Sequence, residues 1–422
     1  ATLDMMLGRT QEAEVELWQL HQLATDSGDR GSQAFALQLL GWLRGWGERI
    51  HEAIRFQEQA YTLYVSIGDP FRAALVDQVL GIVYQALGEM EHARLCTLRG
   101  FERARRYGAR GILGLLYWNQ GVMALVQGDW ASSDARLQQA LQEALANNDA
   151  RLKPNALLAQ AELQFRIGNW PEAEQLFQTS IQAASTTEWI AGVTALYGHF
   201  LAVTGRRKAA REQLERAAAI PEPPGLAGNF YIPFLAEGYL HIEAHERAAT
   251  YIERIRSMRG FMYYGISVDR ILGVVATQAG DWETAEQAFE DGLALCQRAN
   301  NEPEEAAIYY EQVRAALMRS GTITPEKANV SDHTFTRLHD LCYRARELFL
   351  RYNMQRAASL VDTVHKGVQE LEQRDDLAVV QKVIQKQLAD TEYQLSLRLT
   401  ERELEVLHLV AEGHTDREVA EM

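Results

Sequence analysis

The side chains of this 422-residue chain that could do chemistry are its histidines, cysteines, paired carboxylates and aromatic rings, and most fail the spacing tests for catalysis. Eleven histidines occur without an HxH or HExxH arrangement. His241 and His245 stand four apart, but no third ligand is placed beside them at ligand spacing, so no metal site is expected. The three cysteines, Cys96, Cys296 and Cys342, are odd in number, widely spaced and free of any CxxC pair. They read as small core residues of a reduced, cytoplasmic compartment rather than a disulfide framework. Glu304 and Glu305 fall at the start of a helix, where they would complement its dipole rather than act as an acid–base pair. No GxxxxGK[ST] phosphate cradle occurs. With no nucleophile and base to pair, no catalytic residue, metal or cofactor is assigned to the chain. What remains is recognition chemistry, in which rings stack and amides or carboxylates fix orientation.

Composition narrows the classes further. A formal net charge of −15 is not that of a chain that coats nucleic acid, and 47% hydrophobic with 23% charged residues excludes wholesale disorder. The most apolar stretch, residues 112–126, is interrupted by Asn119 and Gln120 and falls short of the roughly 18 apolar residues a membrane span needs. No membrane association is expected. The chain opens at Ala1 inside a helical pattern, without an initiator Met or a signal-like segment, and reads as a fragment of a longer protein.

The elements that must position any site come from a repeat. A turn residue recurs at Gly8, Glu48, Gly88, Gly128, Gly168, Gly205, Glu243 and Gly280, with spacings of 37 to 40. Five residues after each stands Ala13, Ala53, Ala93, Ser133, Ala173, Ala210, Ala248 or Ala285. Seven before, from the second onward, stand Gly41, Gly81, Gly121, Ala161, Gly198, Ala236 and Gly273. Twelve after come Ala60, Gly100, Ala140, Ser180 and Ala217, then Ile255, which breaks the rule, and Gly292. Small residues at fixed offsets let two antiparallel helices approach closely, and larger ones between them (Leu40, Leu80, Leu137, Phe177, Leu214, Leu272, Phe289) fill the remaining space. In Gly-Asp-Trp at 128–130 and 280–282, and Gly-Asn-Trp-Pro at 168–171, Asp or Asn suits an N-cap and Pro171 a first turn. Pro221, Pro223 and Pro224 break the chain between the sixth and seventh units.

These offsets resemble the tetratricopeptide repeat (TPR), with helices lengthened by about a turn beyond the usual period near 34. The fold class expected is all-α, a TPR-like right-handed superhelix of antiparallel helical hairpins. Residues 1–303 form the array of about eight hairpins, the first truncated. Residues 304–395 supply further helices, capping and connector, with a hairpin turning at Tyr352 before a small Ala357 and a charged helix over 376–397. Residues 396–422 form a linker and the start of another domain.

In a TPR superhelix the first helix of each hairpin lines the concave face, and the resemblance places groove positions thirteen, ten, six and three or two before each anchor. The early hairpins give Phe35, Gln38, Trp42, Gln78, Gln85 and Trp118. The middle ones give Asn155, Glu162, Phe165, Arg166 and His199, and the last Phe230, Glu237, His241, Arg270 and Gln278. Rings among amides and a few charges suit an uncharged polar molecule, such as a sugar-like inducer, or a short peptide. The cluster Arg99, Arg103, Arg105, Arg106 and Arg110 reads as a solvated face, with docking of another module as the other reading.

From Leu399 the sequence reads LTERELEVLHLVAEGHTDREVAEM. Thr400 and Glu403 have capping-box spacing, and Gly413 separates two short helices. The lettering resembles the opening of the LuxR-type DNA-binding domain, in Leu399–Leu407, Ala411–Gly413 and Arg417–Ala420; His414 and Asp416 are minor departures. The recognition helix that would read base edges is absent from the chain, and this acidic piece cannot replace phosphate counterions. An array before such a head resembles the LuxR family of large ATP-binding, MalT-like regulators. The resemblance implies an inducer-sensing region with ATP bound in an upstream module, DNA contacted only through the complete C-terminal domain, and self-association. Its partners would be a small inducer or short peptide and its own nucleotide-binding module. The alternative is a TPR scaffold that holds a partner protein or peptide in the groove.

Overall fold

A computed structural model describes residues 10–44, 49–220, 230–322 and 332–372. The anchors Gly8 and Glu48, the prolines at 221–224, the helix expected over 376–397 and the LuxR-like segment from Leu399 lie outside the described residues. Nineteen helices run through the described residues, packed as tandem hairpins. Helix α1 (Thr10–Ser27) precedes five regular pairs: α2 (Arg30–Arg44) with α3 (Ile50–Ser66), α4 (Pro70–Ala86) with α5 (Met90–Arg106), α6 (Arg110–Val126) with α7 (Trp130–Ala146), α8 (Leu152–Arg166) with α9 (Trp170–Ala183), and α10 (Thr187–Val203) with α11 (Arg207–Ala218).

The turns follow from backbone freedom. Gly88, Gly128, Gly168, Gly205 and Gly280 all have φ between 74° and 84°, a region glycine enters without a Cβ clash. A second ladder with positive φ, unread in the sequence, ends the pairs at Gly28, Gly68, Gly108 and Asn148, forty residues apart. Aspartates then start the next helix: Asp69, Asp129 and Asp281 accept from the amides of Arg72, Ser132 and Thr284 at 3.0, 3.0 and 3.2 Å. Asn169, expected to cap, instead gives its side-chain amide to Gln164 and Glu172, while Pro171 stands in the first turn as expected.

The small residues work as the spacing predicts. All eight at five past the anchor are buried where described. A methyl group at Gly121 would come 2.7 Å from Leu137 Cδ2, at Gly198 2.9 Å from Leu214 Cδ2, and at Gly273 2.5 Å from Phe289 Cε1. The glycine thus faces the large residue nine past the anchor of its own hairpin, and the helices touch through that pair.

The exception at Ile255 marks a real departure. After α12 (Ile232–His241) the second helix is broken into α13 (His245–Ala249) and α14 (Ile252–Arg256). An antiparallel ribbon follows that the repeat gave no hint of, β1 (Met262–Tyr263) with β2 (Ile266–Ser267), paired Met262 to Ser267. It leads into α15 (Val268–Ala279) and α16 (Trp282–Ala299). The ribbon's tip enters the coil: Arg166 Nη2 donates to the Tyr264 carbonyl at 2.5 Å, and Asn301 Nδ2 to that of Gly265 at 2.8 Å. Gly265, at φ 77°, lies so near α6 that a Cβ would sit 3.2 Å from Val126 Cα.

Three further helices, α17 (Glu302–Thr322), α18 (Asp332–Arg351) and α19 (Gln355–Glu372), share their own apolar core around Val313, Cys342, Phe349 and Val364. The boundary expected at 303/304 falls in the first turn of α17. The turn expected at Tyr352 lies one residue later, at Asn353 with φ 56°, and the buried small residue is Ala358 rather than Ala357. Tyr352 itself makes a long-range contact. It packs on Gly128, where a Cβ would stand 2.3 Å from its Cε1, and its carbonyl accepts from Trp130 Nε1 at 2.9 Å.

That contact shows the array wound tightly enough for successive turns of the coil to touch. Gly88 packs on Leu295 and Ala299 of α16, and the Arg356 guanidinium lies 3.6 Å over the Trp170 ring. Met90, Val126, Met262, Leu295 and Ala299 form a shared apolar cluster. Among the described residues no helix is long and apolar enough to cross a membrane.

Candidate functional site: two chambers inside the coil

Because the ribbon crosses the interior, the concave side presents two chambers of opposite chemistry rather than one open groove. The first has a volume of about 310 Å3 and is lined by Trp42, Gln78, Gln85, Trp118, Asn155 and Phe230, all groove residues read from the repeat. Trp189, Met262, Tyr263 and Tyr264 also line it, aliphatic residues of α4 and α6 fill the space between, and among the described residues Arg151 is the one charged residue in the wall. The rings meet at edges: Trp118 on Tyr264 with centroids 6.4 Å apart, and Trp189 on Phe230 at 5.6 Å. Trp118 is oriented by its Nε1 donating to the Asn155 carbonyl at 3.2 Å. Gln78 is held by a two-way exchange with Asn119, whose Nδ2 donates to the Gln78 carbonyl at 2.8 Å. Three buried polar atoms of this mainly apolar chamber have no hydrogen-bond partner: Trp42 Nε1, Gln85 Oε1 and Asn155 Oδ1. One donor and two acceptors on residues that line this chamber are thus unmade, and leaving such groups unmade is costly.

The second chamber, about 510 Å3, is lined by Glu162, Phe165, Arg166, His199, Glu237, His241 and Arg270, again all read from the repeat, together with Glu304 and residues of α19. Three of these repeat the same position. Glu162, His199 and Glu237 each stand six before an anchor, so α8, α10 and α12 stack them one above another. Arg270 ties the wall together: Nη1 and Nη2 reach Glu237 Oε1 and Oε2 at 2.5 and 3.2 Å, and Nε reaches Glu304 Oε1 at 2.7 Å. Burial opposes the charge on Glu237, but Arg270 and His199 outweigh it and hold the carboxyl well below its usual range. Burial wins at Glu162, whose acidity is weakened, and both its oxygens lack a hydrogen-bond partner. Burial likewise lowers Arg166, whose Nε has no partner.

His199, Glu237 and His241 also come together, with one ligand atom of each within 4.8 Å of the others. The sequence reading paired His241 with His245 and passed over Glu237, four residues before it on the same helical face, and His199, one repeat earlier. Both were visible as spacing: four residues, and the local period of 38. Glu304 stands in the first turn of α17, where it was expected to complement the helix dipole, but it is also 4% exposed and accepts from the Ser267 amide at 2.8 Å. Its role depends on α17 packing beside α15, which no repeat position encodes. Trp189 lies one helical turn before the outermost groove offset, and Tyr263 and Tyr264 lie on the insertion; periodicity could find neither.

Three expected groove residues line neither chamber. Phe35 packs under the Arg72 guanidinium, 5.4 Å from its ring centre. Gln38 is buried between helices, its Oε1 accepting from Tyr64 at 2.9 Å and its carbonyl from Gln57 at 3.0 Å. Gln278 faces α17, with Nε2 3.6 Å from Met318 Sδ. In each case a following helix, α4, α3 and α17 respectively, comes close enough to cover the offset. The arginine cluster is not wholly a solvated face either: Arg99 and Arg103 reach the buried Asp77 carboxylate at 2.8 and 2.5 Å and flank the Tyr61 ring.

No protein-family model and no curated protein matches the chain. Among 22 similar solved chains is one described as a circular tandem repeat protein with novel repeat topology and enhanced subunit contact surfaces. It is 16% identical, covering 97% of this chain and 100% of that one, with a TM-score of 0.21. A superposition of that quality sets no residue of either chamber against a known site.

Proposed function

We propose that this chain is the effector-sensing region of a LuxR-type, MalT-like transcription regulator, and that the effector is a small, neutral, ring-bearing molecule held in the aromatic chamber. The observation that carries the effector assignment is the set of three unpartnered polar atoms, Trp42 Nε1, Gln85 Oε1 and Asn155 Oδ1, on residues of a ring-walled chamber. A ligand offering one acceptor and two donors would satisfy them while its faces stack on tryptophan. The scaffold alternative is less favoured, because a partner helix is roughly 10–12 Å across and the ribbon divides the interior it would need. In the intact protein, ATP would be held upstream and DNA read by the complete C-terminal head. The effector would act by preferring one arrangement of the coil, which requires different affinities for the two arrangements.

The test is a thermal-shift and tryptophan-fluorescence screen of sugars, amino acids, aromatic metabolites and short peptides. A ligand at a hundredfold excess over Kd stabilises the chain by about 2.7 kcal/mol, and it should change emission from Trp42, Trp118 and Trp189. A screen that yields only compounds whose binding survives Asn155→Ala and Gln85→Ala sinks the assignment to this chamber.

A further inference from the structure

The charged chamber has a feature that neutral-effector binding does not use. Two imidazoles and a carboxylate converge there, with a second carboxylate, Glu162, in the same chamber wall. Glu237 and His241 are four apart on α12 and so share a face, and His199 approaches from α10, its Nε2 3.1 Å from Glu237 Oε2. That nitrogen is thus paired with Glu237, whereas His199 Nδ1 has no hydrogen-bond partner although the residue is only 3% exposed. Glu162, at 1% exposure, lines the same chamber with both oxygens unpartnered.

We propose that His199, Glu237 and His241 bind a divalent transition-metal ion of the zinc class, with Glu162 facing the coordination position left open to the chamber. Two histidines and one glutamate are a ligand set suited to such an ion, and three protein ligands leave one site for water or a bound molecule. Tetrahedral ligands at 2.0–2.1 Å from an ion stand roughly 3.3 Å apart, so atoms already within 4.8 Å need only side-chain rotation to close on it. Arg270 does not exclude the ion. An ionised carboxylate has about four acceptor directions, and the guanidinium takes two of them on Glu237 while fixing its orientation, as groups hydrogen-bonded to metal-bound carboxylates do. Glu162 is then the acceptor for a proton of the metal-bound water.

The experiment uses the tag-free chain, stripped with EDTA and titrated with Co2+ followed by Zn2+. The expected result is one equivalent of Co2+ giving intense visible d–d absorption, displaced by one equivalent of Zn2+, with affinity falling as pH drops and the imidazoles protonate. His241→Ala and His241→Gln, at the half-buried rim, should abolish the absorption, with folding checked by circular dichroism. His245→Ala should leave it intact, and Glu162→Gln should weaken affinity about 10–100-fold. Absence of a one-equivalent Co2+ spectrum in the wild-type chain, or a spectrum unchanged by both His241 variants, overturns the proposal. The effector screen run on the stripped chain reads the aromatic chamber separately, so the two assignments can fail independently.

Discussion

Replacing Arg270 with methionine tests the electrostatic account of the charged chamber most directly. The arginine side chain is 8% exposed, and its partners on Glu237 and Glu304 are 6% and 4% exposed, so the substitution strands two buried carboxylates. Breaking a buried pair by removing one partner costs about 3–5 kcal/mol, mostly through the uncompensated charge. The sign of the pH dependence is fixed by the shifts. In the wild type, Glu237 is depressed below its ordinary 4.5, because Arg270 and His199 overcome burial; its contribution is fully present above that value and fades as pH falls through the folded pKa. Without Arg270, burial is opposed only by His199 at Glu237 and by Arg166 and the Ser267 amide at Glu304, so both carboxyls move up. Stability is then lost as pH rises past 4.5. The deficit of Arg270→Met, read from urea midpoints in EDTA, should therefore grow from pH 5 to pH 8 and reach about 3–5 kcal/mol. Adding Glu237→Gln and Glu304→Gln should remove most of the pH 8 deficit. A deficit below about 1 kcal/mol, or one equal at both pH values, refutes the reasoning.

Gly121→Ala should destabilise by about 1–2 kcal/mol, since overpacking outweighs the gain in helix propensity. Gly111→Ala, in the same helix with nothing within 4 Å, should cost nothing, and Leu137→Ala should narrow the penalty of Gly121→Ala in a double-mutant cycle. Asp281→Ala should cost about 1 kcal/mol by loss of the N-cap, whereas Asp281→Asn retains it. Because hydrogen bonds from Thr284 lower the Asp281 pKa, its contribution should be present above pH 3.8 and decline as pH falls through the folded value. Glu243 holds an anchor at φ 60° where other anchors are glycine, and its exposed pair with Arg207 contributes little; Glu243→Gly should raise the denaturation midpoint by up to about 1 kcal/mol of stability.

The hairpins were legible because their determinants are local and repeated. Glycine occupies most of the left-handed turns, and a small residue must face Leu137, Leu214 or Phe289. The same periodicity carried thirteen groove residues, Trp42 and Glu237 among them, to chamber walls. It failed where tertiary contact overrides position. Gln38 is covered by Tyr64, Glu304 is drawn inward by Arg270, and Tyr264 arrives on a ribbon with no counterpart in other units. His199, Glu237 and His241 were each read as groove residues, but their convergence required stacking three hairpins in register, a step the spacing permitted and the search for local metal motifs omitted.

Trp130 and Tyr352 join positions 222 residues apart, and Gly88 meets Leu295 along the same seam. A string of units fastened only to their neighbours can fray from either end, one at a time. Here the seam bolts early units to late ones, so peeling any of them strains the rest, and melting should be a single cooperative event. Whatever widens the hollow must also pry at the seam, which makes the outer surface around Tyr352 the place where occupancy within would be felt.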